Sequence, residues 1–227
     1  PSFGLWRHRE HIKRLSTMMV ERGTTPLVWV HMTNTNRLPV LSFSQALLGW
    51  EWKYGSSDFQ ERFTPDYIRA VSIGRQSGNI PVMLDGIQGI DRKDPEYARV
   101  TRTGLALILP NEMDTYGGWM DGATVSKAVG IIDAFRSQPG TECYACWESA
   151  PVVDAPRELL VAAYRRGKEL LLVVGNTAGE ATHLLKLKGA VAKATDAETD
   201  APLETRGPEG VLPIAKHDLR LVRVTME

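Results

Sequence analysis

The pattern of apolar residues changes once along this chain, near residue 150, and that change limits the fold more than any other feature. Before it, helical stripes alternate with short apolar runs. "REHIKRLSTMMVERG" (9–23) places apolar residues at 12, 15 and 18/19 and stops at Gly23, which predicts a helix. "PLVWVHM" (26–32) and "NIPVMLDGI" (79–87) are short runs rich in branched and aromatic residues, as buried parallel strands require. "LSFSQALLGWEW" ends as a strand running into a loop. "TPDYIRAVSIGRQSG" (64–78) opens with Thr64 as N-cap and Pro65 at the first helical position. Residues 94–109 and 122–137 also read as helices. The order is helix, strand, strand, helix, strand, helix, helix, an α/β arrangement with a parallel sheet. Three or four strands make part of a (β/α) barrel, since a complete one needs ~250 residues.

After residue 150 the helical period disappears. "ESAPVVDAPRE" carries two prolines and reads as a linker. Six short strand-like runs follow, punctuated by Gly167-Lys168, Asn176-Thr177-Ala178-Gly179 and Gly207-Pro208. They predict a small antiparallel sandwich. The expected division is therefore a C-terminal portion of a (β/α) barrel over 1–150 and a β-sandwich over 151–227.

Charge and composition remove several function classes. Of 227 residues, 27 are Lys or Arg and 27 are Asp or Glu. A balance of zero gives no basic surplus for nucleic acid or an anionic membrane surface. No apolar run approaches the ~18 residues of a membrane span. The first residue is Pro1 and no signal peptide precedes it, so the chain reads as a processed or truncated piece. Cys143 and Cys146 in "CYACW" have the spacing of a redox pair or half a zinc site. With no second CxxC and with Tyr144 and Trp147 beside them, a strand with two plain thiols is the expectation.

In a parallel α/β barrel, active sites sit in the loops at the C-terminal strand ends. That rule selects His31 and Asn34 after the first strand. It selects Trp50, Glu51, Trp52, Tyr54 and Asp58 on and after the second, and Asp85 after the third. Glu112 and Trp119 follow "ALILP". Glycoside hydrolysis needs two carboxyl groups, one protonated and one ionised. Glu51 between two indoles suits the acid, because apolar walls raise a carboxyl pKa. Asp85, ahead of Asp58, could supply the partner of Glu51 or grip sugar hydroxyls. His31, Asn34, Trp50, Trp52, Tyr54, Asp58, Glu112 and Trp119 would bind substrate, the indoles by stacking on sugar rings. Each has a plainer reading too. Asp58 can cap a turn before "FQERF", Asp85 can form a turn with Gly86, and Glu112 can be a loop charge. His183 and His217 fall in strands of the second unit and read as structural.

The stretch from "PLVWVHMTNTNRLPVLSFSQALLGWEW" through "DFQERFTPDYIRA" to "GRQSGNIPVMLDGI" resembles the C-terminal part of bacterial proteins related to glycoside hydrolase family 123. The resemblance implies a barrel followed by a β-sandwich, a retaining hydrolase acting on an oligosaccharide or glycoside, no cofactor, and a periplasmic or secreted setting. That family uses an adjacent Asp-Glu pair with the substrate acetamido group as nucleophile. This sequence has no Asp-Glu dipeptide, and the nearest feature is Glu51 in "WEW". The pair is then expected in an upstream segment, or another arrangement is used. An upstream segment or a second copy is likewise expected to complete the barrel, whose open edges would otherwise be exposed. Two alternatives stay open: a carbohydrate-binding protein without chemistry, and a metal-dependent hydrolase or lyase using His31, Glu51 and Asp85.

Overall fold

The structure, a computed structural model, describes residues 2–31, 38–54, 58–71, 80–87 and 89–227; for 2–3, 49–54, 71, 81 and 83–86 the description covers the backbone. The first unit alternates as expected. Helix α1 (Ser2–Glu21) begins seven residues earlier than the stripe predicts and ends at Gly23, whose φ of 72° supplies the left-handed turn. Strand β1 (Trp29–His31), the helical turn α2 (Leu38–Leu41), strand β2 (Ala46–Tyr54), helix α3 (Pro65–Val71), strand β3 (Ile80–Ile87), helix α4 (Pro95–Ile108), strand β4 (Asp114–Thr115) and helix α5 (Gly122–Arg136) follow. The Thr64 hydroxyl accepts from Tyr67 N–H at 3.2 Å, so the cap read from the sequence is present. Asp94 and Asp121 cap α4 and α5 in the same way.

Strands β1 to β4 form one parallel sheet in the order β1-β2-β3-β4, the portion of a barrel that the sequence predicts. Two rows alternate across it. One runs Val30–Leu47–Pro81; Val30 and Leu47 are buried with Ile12 of α1 and Val40 and Leu41 of α2. The other contains Trp29–Ala46–Ile80 and His31–Leu48–Val82–Asp114. Here Ala46 and Val82 are buried but Trp29 is 47% exposed and Ile80 54%, so this face, which would line a barrel interior, is open at those two positions.

Nine further strands make two antiparallel sheets: β5 (Glu142–Tyr144), β6 (Val153–Asp154), β7 (Leu159–Arg166), β8 (Glu169–Asn176), β9 (Ala181–Leu187), β10 (Val191–Asp196), β11 (Thr205–Arg206), β12 (Glu209–Ile214) and β13 (Leu219–Met226). The five-stranded sheet runs β10-β13-β8-β7-β5 and the four-stranded sheet β11-β12-β9-β6. Three details differ from the sequence reading. The proline-bearing 148–158 segment is not merely a linker, since β6 within it pairs with β9. The "CYACW" strand ends at Tyr144, leaving Cys146 in a turn. His217 precedes β13 and has a φ of 54°, a left-handed position outside any strand.

The five-stranded sheet is covered on both sides. Leu170, Leu172 and Val174 of β8 enter the sandwich core, whereas Leu171 and Val173 pack with Leu105 and Ala106 of α4 and Ala128 and Ile132 of α5. Two buried faces explain the unbroken apolar run "LLLVV" where an exposed sheet would alternate with polar residues. Contact between α4 and β8 is close: a Cβ built on Gly175 would lie 1.8 Å from the Ala106 carbonyl oxygen. The molecule is thus layered as sheet, sheet, helices, sheet.

Candidate functional site

The C-terminal strand ends of the parallel sheet carry His31, the Trp52–Tyr54 end of β2, the Asp85–Ile87 end of β3 and the loop after β4. Along β2 the register slips. Leu48 pairs with Val82 and Glu51 with Leu84, so Gly49 and Trp50 together oppose Met83. This bulge advances the alternation by one residue. Glu51 therefore continues the open row of Trp29, His31 and Leu48, and strict alternation would have put Trp50 and Trp52 there instead. Trp52 pairs with Asp85 in the alternate row, which runs on to Ile87. Ile87 packs with Phe59 and with Tyr97 and Val100 of α4. The register thus brings Glu51 and His31 to one face and leaves Asp85 in the other row.

Beyond β4, a 310 turn at Gly117–Trp119 leads to α5. Tyr97 of α4 donates its hydroxyl to the Trp119 carbonyl at 2.6 Å, and Asp121 N–H donates to Thr101 Oγ1 at 2.9 Å. Arg92 reaches the Gly118 carbonyl at 3.3 Å. These bonds hold Tyr116 and Trp119 over the strand ends with their rings partly exposed. Tyr116 and Arg92 are absent from the sequence-based set. The Gly117-Gly118 pair flanked by aromatics was the signal for this loop.

Two expected substrate contacts lie elsewhere. Asp58 is 4% exposed, and both of its oxygens face protein groups. Oδ1 accepts from Gln60 N–H at 2.9 Å and caps the 310 turn Phe59–Glu61, while Oδ2 lies 2.7 Å from His217 Nδ1. Gln60 donates to the carbonyls of Thr103, Asn176 and His217. Asp58 thus caps the turn before "FQERF", the plainer of its two readings, and fastens the strand-to-helix loop to the sandwich. His217 has the structural role predicted for it. Glu112 sits between α4 and β4 at a φ of 53°, at the N-terminal edge of the sheet, because α4 runs antiparallel to the strands. It lines a cavity of about 310 Å³ with Ile80, Asp114, Arg136 and Tyr164, opposite the face selected for it. Burial, first of all, pushes the Tyr164 hydroxyl up. Asn34 lies outside the described residues, as do the side chains of Trp50, Glu51, Trp52, Tyr54 and Asp85.

A second tie joins the two units. Arg102 of α4 forms a bidentate pair with Glu198 at 3.0 Å and bonds Asp218 at 2.6 Å. Burial alone would lower the guanidinium pKa, but the two carboxylates raise it above its ordinary value, so Arg102 stays charged. Cys143 and Cys146 are not joined in a disulfide. Burial pushes the Cys146 thiol up, and its Sγ lies 3.3 Å from the buried Asn111 Oδ1. Among the described residues no group of three His, Cys, Asp or Glu side chains is placed to hold a metal, and no helix is long and apolar enough to cross a membrane.

No protein-family model matches the sequence, and no curated protein matches it. Solved structures do match the fold. One is a noncanonic maltogenic α-amylase from Thermotoga neapolitana, with a TM-score of 0.58 and 8% identity over 96% of this chain and 59% of that one. An Anoxybacillus α-amylase matches at 0.56 and 9% identity, over 98% and 56% of the two chains. The α-galactosidase I of Mortierella vinacea matches at 0.52 and 12%, over 96% and 64%. The chain spans less than two thirds of each of these glycoside hydrolases. Its architecture is that of a partial barrel followed by a β-sandwich, in the manner of glycosidases.

Proposed function

We propose that this chain is the C-terminal portion of a glycoside hydrolase that cleaves an oligosaccharide or glycoside, with Glu51 as the carboxyl group it contributes to the cleft. The observation that carries this reading is the bulge at Gly49-Trp50, which sets Glu51 in the open row of the sheet near its C-terminal edge. A carboxyl group on the inner face of a barrel is the type that stays protonated and donates to a glycosidic oxygen. His31 shares that row and would face the sugar, with Trp119 at its rim; Trp50, Trp52 and Tyr54 fall outside the row by the same register. Asp85 is the second acidic candidate and ranks below Glu51, because its row is the alternate one.

The resemblance of "HMTNT" and "WEW" favours a family-123 relative, retaining and secreted or periplasmic. Exposed Trp29 and Ile80, and sheet edges at β1 and β4 without a further strand among the described residues, support an upstream segment that closes the barrel and supplies the missing carboxylate. Mass spectrometry of every chain in the native particle tests that closure, and a lone 227-residue species would end it. Glu51→Gln in the complete particle is expected to lower turnover of aryl glycosides about 10²–10⁴-fold with folding intact. Unchanged turnover removes Glu51 from the mechanism.

The lack of an assigned partner carboxylate for Glu51 among the described residues also favours a second reading, a protein that holds glycans without cleaving them. Glycan binding with no hydrolysis by the complete particle would decide for it. The metal-dependent reading, with His31, Glu51 and Asp85 as ligands, gains no support from the register, which sets Asp85 apart from the other two.

A further inference from the structure

A groove opens at the end of the sandwich remote from α4. It is formed by the β7–β8 hairpin, the β9–β10 turn, the segment before β6 and the end of β13, so both sheets contribute. Its volume is about 330 Å³, at the small end for ligand sites. Arg165, Lys168 and Lys188 line it, and Glu227 is the carboxylate among its lining residues. Lys188 pairs with Asp154, and Arg165 Nε lies 3.4 Å from the Gly167 carbonyl, which directs the guanidinium toward the hairpin. Asp154 offsets Lys188 and Glu227 offsets one further charge, so the cations offered to an anion are Arg165 and Lys168. The floor is apolar: Val152 and Leu170 are buried, and Met226 is half-buried beside Gly189. At Gly189 φ is 153°, and a Cβ would meet the Met226 methyl at 2.9 Å, so the turn follows the groove without a side chain in the way.

We propose that this groove binds the carboxylate of an acidic sugar chain, a hexuronate-containing oligosaccharide, at a site separate from the parallel sheet. The choice of a sugar rests on the glycoside-hydrolase reading. A carboxylate fits the planar fork of Arg165 and the point charge of Lys168, and the carbon face of a pyranose ring fits the floor. An inorganic anion would use the cations and leave the floor unused. The site would anchor an acidic polymer while its neutral segments reach the cleft.

The test is titration of the chain with trigalacturonate, maltotriose and inorganic phosphate, followed by amide chemical shifts. Trigalacturonate is expected to move the resonances of Lys168, Gly189 and Met226, and Arg165→Gln with Lys168→Gln to weaken it about tenfold. Both side chains are exposed, so the double variant keeps its fold, which an unchanged melting temperature checks. Equal binding of maltotriose at these residues, equal binding of phosphate, or unchanged affinity in the double variant would each overturn the proposal. Glu51→Gln is expected to bind trigalacturonate normally, so a failed hydrolase reading and a failed anion site give different results.

Discussion

The two halves of this chain solve the same burial problem to different degrees. The antiparallel half is covered on both faces of its larger sheet: β7, β8 and β13 send alternate residues into the sandwich core and into a second core shared with α4 and α5. The parallel half covers only its helix side. Its other face shows Trp29 and Ile80 to solvent. A sheet whose connections are helices gains its second cover only when enough strands accumulate to curl round, and four do not suffice. The difference teaches that the five-stranded sheet borrows its second cover from α4 and α5, whereas the inner face of the parallel sheet has no such cover among the described residues.

The sharpest way to break this comparison is at the seam. Gly175→Ala places a methyl group against the Ala106 carbonyl, where backbone must move, and is expected to cost at least ~3 kcal/mol in denaturant unfolding. A loss below 1 kcal/mol would mean the α4–β8 contact is looser than the structure has it. Next comes Arg102→Met, which strands Glu198 and Asp218 without their cation. About 2–3 kcal/mol is expected, less than for a fully enclosed pair because Arg102 retains some solvent contact. Adding Glu198→Gln to that variant should recover part of the loss.

Trp29→Ser and Ile80→Thr probe the open face and should each change the stability of this chain by no more than ~0.5 kcal/mol. In the complete particle the same changes should cost several times more. Equal costs in both would show that the face is already covered, by a second copy for instance. The smallest effect concerns the thiols. Cys143 is exposed, and Cys146 is half-buried with its pKa raised, so thiolate is scarce at Cys146 near neutral pH. A disulfide reagent should label Cys143 about tenfold faster, and equal rates would show that the turn after β5 opens readily.

The element order, the Thr64 cap and the change to short strands near residue 150 were legible because they depend on neighbours in sequence: a Thr-Pro step, a helical stripe, a Gly stop. The candidate site was legible only in part. Glu51 and His31 were selected by lying near strand ends, a one-dimensional rule. That rule could not place the bulge at Gly49-Trp50, which depends on register against β3. Glu112 follows "ALILP", which closes α4 and leads to the other edge of the sheet, a placement no local pattern shows. Asp58 meets His217, 159 residues away, and no local pattern announces such a pair.

The centre of the five-stranded sheet has no wet side, and that has a kinetic consequence. Its central strands can meet solvent only after the sandwich core has separated or α4 and α5 have lifted away. Amide protons of β8 should therefore be the last in the chain to be replaced by deuterium, at a rate set by the opening of the whole molecule. The change in pattern near residue 150 then marks a boundary in composition, not one along which the molecule comes apart.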